Sequence, residues 1–377
     1  MPFVEPNFVE GTTKGKIEIS QLHVPATKPK ETQTKTVPRR VGHPSLQCHN
    51  LHLMHKWEVP DPMMPIVTEL IESLRYVGSS DPALARLGII LIDNATELLI
   101  QRACTEDLHD LRMISRISRL TGEKPPNYEK AKSQDFSKKL SHCVASKRIS
   151  EQEGHFILIV HRIRNLLYHG GQKHLVVAHA VSRAAFRVVV KLIKSLSINQ
   201  YWTYPRTLTA GIQELESDAE RLEIGYDQVL LTRLQHGPSL SRVLSDHIQS
   251  GIESIKRSIE FLNENPFMET TETVNLLMAQ LSWDYREEKA EDLKLYSPND
   301  IIGQAKAVGW KPRYLEVPYS SWEKRAAQLG KEPSELVALT KYWKLHDEVD
   351  YLASATSRAA SELDEAIGME VDRLRGK

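Results

Sequence analysis

The chain has little cysteine, no long apolar run and no net charge, and each absence removes a class of protein. Three cysteines in 377 residues, Cys48, Cys104 and Cys143, give no disulfide framework and leave one thiol over. The longest apolar stretches run from Leu87 to Ile92 and from Phe156 to Val160. Both fall far short of the roughly 18 residues a membrane span needs. The opening MPFVEPNFVEG carries neither a basic region nor an apolar core, so no signal peptide is expected and a cytoplasmic location is. Neither GxxxxGK[ST], GxGxxG nor HExxH occurs, which argues against a P-loop, a dinucleotide fold and a zinc protease. No cofactor is expected.

What is present is unevenly charged. Residues 1–64 hold 8 basic against 6 acidic side chains, residues 65–200 hold 20 against 13, and residues 201–377 hold 21 against 30. A basic middle and an acidic C-terminal part suit an anionic partner for the middle, or the docking of one part on the other. Two solvated faces of unequal sign explain the count equally well.

Residues 1–56 read as an extended or disordered segment. The stretch Pro25 to Arg40 is Thr, Lys and Pro with almost nothing to bury, although Ile17, Ile19, Leu22 and Val24 could make one short strand. From Pro65 the pattern turns helical. Ile66, Leu70, Leu74 and Val77 make one stripe. Ser80–Asp81–Pro82 starts a central helix to about Cys104, and a second helix is expected over 106–121. A short amphipathic piece covers Phe136 to Ala145. Ser150 with Glu153 forms a capping box that opens a helix stopped by Gly170–Gly171, and another follows over 174–195. The acidic remainder suggests helices near 208–235, 240–263, 269–290 and 299–308, then one or two over 320–375. The expectation is all-α: a helical bundle over 57–205 and a second helical domain over 206–377.

The segment Arg164–Asn165–Leu166–Leu167–Tyr168–His169–Gly170–Gly171 carries the chemistry. It resembles the signature of the HEPN superfamily, in which an arginine followed by a polar residue precedes a histidine near a helix end. The same spacing recurs at Arg242 and His247 without the asparagine, so context carries the resemblance: the apolar helix, the Gly-Gly stop, and the upstream helix with Asp93 and Glu97. The likeness spans roughly residues 65–200. It implies a dimer that cleaves RNA without a metal, through attack of the 2′-OH and a 2′,3′-cyclic phosphate, in a toxin-like or antiviral setting. His169 would move protons, Arg164 would stabilise the phosphorane, and Asn165 would hydrogen-bond to orient His169 or the phosphate. Asp93, Glu97, His161 and Arg162 are candidates for the surrounding groove, Asp93 and Glu97 also reading as a plain i, i+4 pair. His169 before Gly-Gly also reads as a cation settled on the helix dipole.

On an ideal helix Arg164 and His169 lie about 140° apart. One copy therefore does not bring both to one phosphate, while two copies across a two-fold axis would. The expected partners are RNA, a second copy of the chain, and an antitoxin or effector through the acidic part. That part could also cover the basic groove. A catalytically inactive HEPN module that binds a partner or senses RNA is the alternative. Cys48, His49, His52 and His55 lack the second ligand pair of a zinc site, and Cys143 is a poor nucleophile candidate beside His142. The aromatic residues Trp310, Trp322, Trp343, Tyr314, Tyr319, Tyr342 and Tyr351 suit either a core or an interface.

Overall fold

The computed structural model describes residues 58–77, 79, 81–121, 128–169, 175–196, 208–264 and 317–376, side chains at 111–121, 169 and 175 excepted. The chain divides into two units, Met1–Leu53 and Met54–Lys377, and all described residues belong to the second. The suggested strand near Ile17, the histidines near Cys48, and the helices expected at 269–290 and 299–308 lie outside the described residues.

Every regular element among them is helical, so the all-α expectation holds. After a 3-10 turn at Asp61–Met63 come α1 (Met64–Val77), α2 (Pro82–Thr121), α3 (Glu129–Lys132), α4 (Phe136–Ala145), α5 (Glu151–His169) and α6 (Leu175–Ser195). Then follow α7 (Ala210–Leu222), α8 (Tyr226–Arg233), α9 (Leu240–Glu264), α10 (Tyr319–Leu329) and α11 (Glu335–Leu374). No helix among the described residues is long and apolar enough to cross a membrane.

The expected break between helices near residue 105 does not exist. α2 runs unbroken for 40 residues, because nothing between Cys104 and Glu106 competes with the helical bonds. Thr105 Oγ1 donates to the Gln101 carbonyl and so follows the helix rather than leaving it. The opposite correction applies at 208–235. Glu223 takes a left-handed backbone, φ 55°, and the Ile224 N–H closes on the Ala219 carbonyl, which ends α7 before α8 begins. The expected span at 320–375 resolves into α10 and α11, parted at Gly330–Pro333.

The capping box at Ser150 forms in full. Ser150 Oγ accepts from the Glu153 N–H at 3.2 Å, and a Glu153 carboxylate oxygen accepts from the Ser150 N–H at 3.0 Å. This fixes where α5 starts. α4 can then lie close against α5, because Gly154 has no Cβ; one there would stand 2.6 Å from Val144 Cγ2.

Ile66, Leu70 and Val77 of α1 are buried against α2, whose Ile89, Ile92 and Leu99 continue the core toward Phe186 of α6. α9 and α11 lie side by side and run the same way: Ser241 donates to the Glu332 carbonyl just before α11, and Tyr342 meets His247. Packing joins these halves, α5 touching α11 and α6 touching α9, with Arg187 of α6 bonded bidentately to Glu335. The aromatic residues Trp322 and Tyr342 are core, fully enclosed; Trp322 Nε1 donates to Glu348 at 3.1 Å. Trp310 and Tyr314 lie outside the described residues.

Candidate functional site

α5 buries Phe156, Ile159, Val160, Ile163 and Leu167, as its apolar spacing demands. At 100° per residue Leu166 falls on the same side as Ile159 and Ile163, yet it is 42% exposed. The polar arc turns partly inward toward α2. Asp93, one turn before Glu97, is 1% exposed and faces α5.

Arg164 ties the two helices together. Its Nε donates to Asp93 Oδ2 at 2.7 Å, its Nη2 to Glu97 Oε1 at 2.7 Å, and its Nη1 to Asn165 Oδ1 at 3.0 Å. The planar fork suits this spread of oxygens; a lysine would not span it. His161, one turn earlier on α5, sets Nδ1 3.0 Å from the same Asp93 Oδ2 and 3.4 Å from Glu97 Oε1. A carboxylate only accepts, so Nδ1 carries the proton, and Nε2 makes no hydrogen bond among the described residues. The ring packs against Phe136 of α4, centroids 4.6 Å apart.

Of the residues singled out in the sequence, Asp93, Glu97, His161, Arg164 and Asn165 come together. Arg162 is exposed to solvent and makes none of these bonds. His169 closes α5; its side chain lies outside the described residues, as do Gly170 and Gly171. Among the described residues the bonds of this cluster all come from α2 and α5, and none comes from the acidic part of the chain.

Asp93, Glu97 and His161 each offer one ligand atom, all within 4.8 Å of one another. The donor set fits a metal poorly. Arg164 already lies on both carboxylate oxygens, and a divalent ion there would sit against a fixed positive charge.

A cleft of about 410 Å³ adjoins the cluster, lined by Glu69, Asn94, Glu97, Leu98, Phe136 and Lys139. Gln101 and Gln134 complete its rim, and Lys139 Nζ donates to Gln101 Oε1. Burial, reinforced by Glu72, pushes the Glu69 carboxyl above its usual range. Sequence reasoning overlooked Phe136 and Lys139. Their helix was legible as amphipathic, but nothing local tells which face of a ten-residue helix meets α2.

A separate network fixes that meeting. Asp107 of α2 bonds His142 Nε2 at 2.7 Å, and Arg148 reaches Asp107 at 2.5 Å and Glu106 at 3.0 Å. Cys104 and Cys143 lie beside it, sulfurs 3.9 Å apart. The hydrogen bond to Cys104, with burial, pushes the Cys143 thiol above its ordinary range, which disfavours the thiolate that a nucleophile needs.

Set beside known proteins, the chain matches no family model, no curated protein and no solved structure.

Proposed function

We propose that the chain is a metal-independent endoribonuclease of HEPN type, acting as a homodimer. The observation that carries the reading is Arg164, held rigidly between two carboxylates one turn and a half before His169. A guanidinium has five N–H groups. Three are spent on Asp93, Glu97 and Asn165, which leaves one on each terminal nitrogen for phosphate oxygens. His169 takes or returns the proton of the 2′-OH or the leaving 5′-oxygen. His161, oriented by Asp93 much as a catalytic base is oriented by its acid, supplies a second proton carrier through Nε2.

The dimer has support on the same surface. Leu84, Leu87 and Leu98 lie within about 60° of one another on the outer side of α2 and are each more than a third exposed, as is Leu166 on α5. An apolar stripe beside the cluster suits a second copy that brings its own α5 end to the groove.

One observation favours the inactive binding module. Asp93, Glu97 and Arg164 together carry one net negative charge, which opposes a phosphate unless an imidazole is protonated. The two readings part on one experiment. Labelled single-stranded RNA and total tRNA are incubated with the full chain in EDTA, beside His169→Ala and Arg164→Ala, while light scattering gives the oligomeric state. The ribonuclease reading expects 2′,3′-cyclic ends from the wild type and at least about 100-fold less cleavage from His169→Ala. A dimer that leaves every RNA intact selects the binding module.

A further inference from the structure

The cleft beside the cluster has a composition that the cleavage chemistry does not require. Its volume of about 410 Å³ falls in the range of small-molecule sites. Leu98 and Phe136 give it apolar wall, Asn94, Gln101 and Gln134 bring carboxamides, and Lys139 brings a positive charge. Two walls are shared with the cluster: Glu97 lines the cleft and bonds Arg164, and Phe136 lines the cleft and packs on His161. A ligand seated here would touch these two shared walls, Glu97 and Phe136, and meet the cluster only through them.

We propose that this cleft is a nucleobase subsite that holds an adenine of the RNA next to the bond to be cut. The choice of RNA as ligand rests on the ribonuclease reading; the shape and chemistry of the cleft do not. A planar, largely apolar ring suits the Leu98–Phe136 wall, since stacking on an aromatic side chain holds bases of any sequence. The carboxamides then discriminate. An Asn or Gln amide offers a donor and an acceptor side by side, the complement of adenine N7 and N6–H, whereas guanine O6 and N7 call for two donors and are usually met by arginine. Among the described residues no arginine lines this cleft.

The charges agree with a nucleotide rather than a bare anion. Lys139 has three N–H donors, one of them given to Gln101, and two remain for a phosphate at the open side. Glu97, held by Arg164, disfavours a free anion and can accept from the exocyclic amine of a base. Glu69 also lines the cleft, its carboxyl raised above the usual range by burial and Glu72.

The test titrates the full-length protein with AMP, GMP and ribose 5-phosphate by calorimetry. AMP is expected to bind at least fivefold more tightly than GMP, and ribose 5-phosphate to give no saturable heat. Asn94→Asp, which replaces the donating NH₂ by a carboxylate oxygen, is expected to weaken AMP about tenfold. Gln134→Ala changes an exposed side chain and cannot unfold the core, so it serves as the second variant, with a smaller loss of AMP affinity. Equal affinity for AMP and ribose 5-phosphate overturns the subsite, and so does AMP binding that neither variant weakens. The RNA assay separates this proposal from the one before it. AMP selectivity without any RNA cleavage upholds the base site and removes the ribonuclease; cleavage with no preference among the three ligands overturns the base site alone.

Discussion

The chain holds two arginine–histidine pairs at the same spacing, Arg164 with His169 and Arg242 with His247, and the fold gives them opposite surroundings. Arg164 is drawn in between α5 and α2, its guanidinium on two carboxylates. Arg242 points into solvent at the start of α9. His247 turns inward instead, its Nδ1 3.1 Å from the Tyr342 hydroxyl and its ring stacked 5.5 Å from His346. Spacing fixes the angle between two side chains but not the direction of the core. On α9 the stripe Leu244, Ile248, Ile252 and Ile255 is buried, and that stripe carries His247 in and leaves Arg242 out. On α5 the buried stripe lies so that Arg164 meets the acids of α2.

The contrast can be broken by removing each arginine in turn. Arg164→Ala leaves Asp93 buried without its fork, and a loss of about 3 kcal/mol in urea unfolding is expected. Arg242→Ala removes an exposed side chain and is expected to cost less than about 0.5 kcal/mol. Equal losses would mean that Arg164 is as solvated as its counterpart.

A smaller effect sharpens the other half of the comparison. Tyr342→Phe deprives His247 Nδ1 of its partner in a buried site, and a loss of about 1 kcal/mol is expected. An unchanged midpoint would show that the hydroxyl and imidazole do not meet.

The smallest effect is in pH. Burial holds His247 below the ordinary imidazole range, with Asp350 opposing it weakly. The folded state therefore binds its proton less readily than the unfolded chain. Its contribution is complete above the unfolded imidazole pKa of about 6.5 and is lost as pH falls through the lowered folded value. His155 and His179 are also held down, chiefly by burial. His247→Gln should thus flatten the acid-side loss of stability without abolishing it, as read from unfolding midpoints between pH 7 and pH 5. An unaltered slope would place His247 in water.

Much of this was legible in advance where a local signal exists. The capping box fixes the start of α5, and the i, i+4 spacing sets Asp93 and Glu97 on one face, so the sequence itself points these two acids and Arg164 to one groove. Elsewhere the decisive force is not local. Nothing short-range distinguishes an unbroken α2 from two helices meeting at Cys104, since both satisfy the same apolar spacing. The break at Glu223 depends on a left-handed residue that is not glycine, which composition does not announce. Phe136 and Lys139 reach the cleft only because Asp107, His142 and Arg148 lock α4 beside α2, a tertiary arrangement of residues far apart in sequence.

The continuity of α2 has a consequence for how this protein tolerates change. The helix is about 60 Å long, with Asp93 and Glu97 at one station and Glu106 and Asp107 roughly two and a half turns beyond. One shaft therefore sets the phase of both the arginine cluster and the α4 lock. A single residue inserted between Gln101 and Thr105 would rotate the second station by about 100° against the first and swing α4, with its half of the cleft, out of register. At exposed positions outside both stations and the leucine stripe, α2 accepts a change of residue far more readily than a change of number.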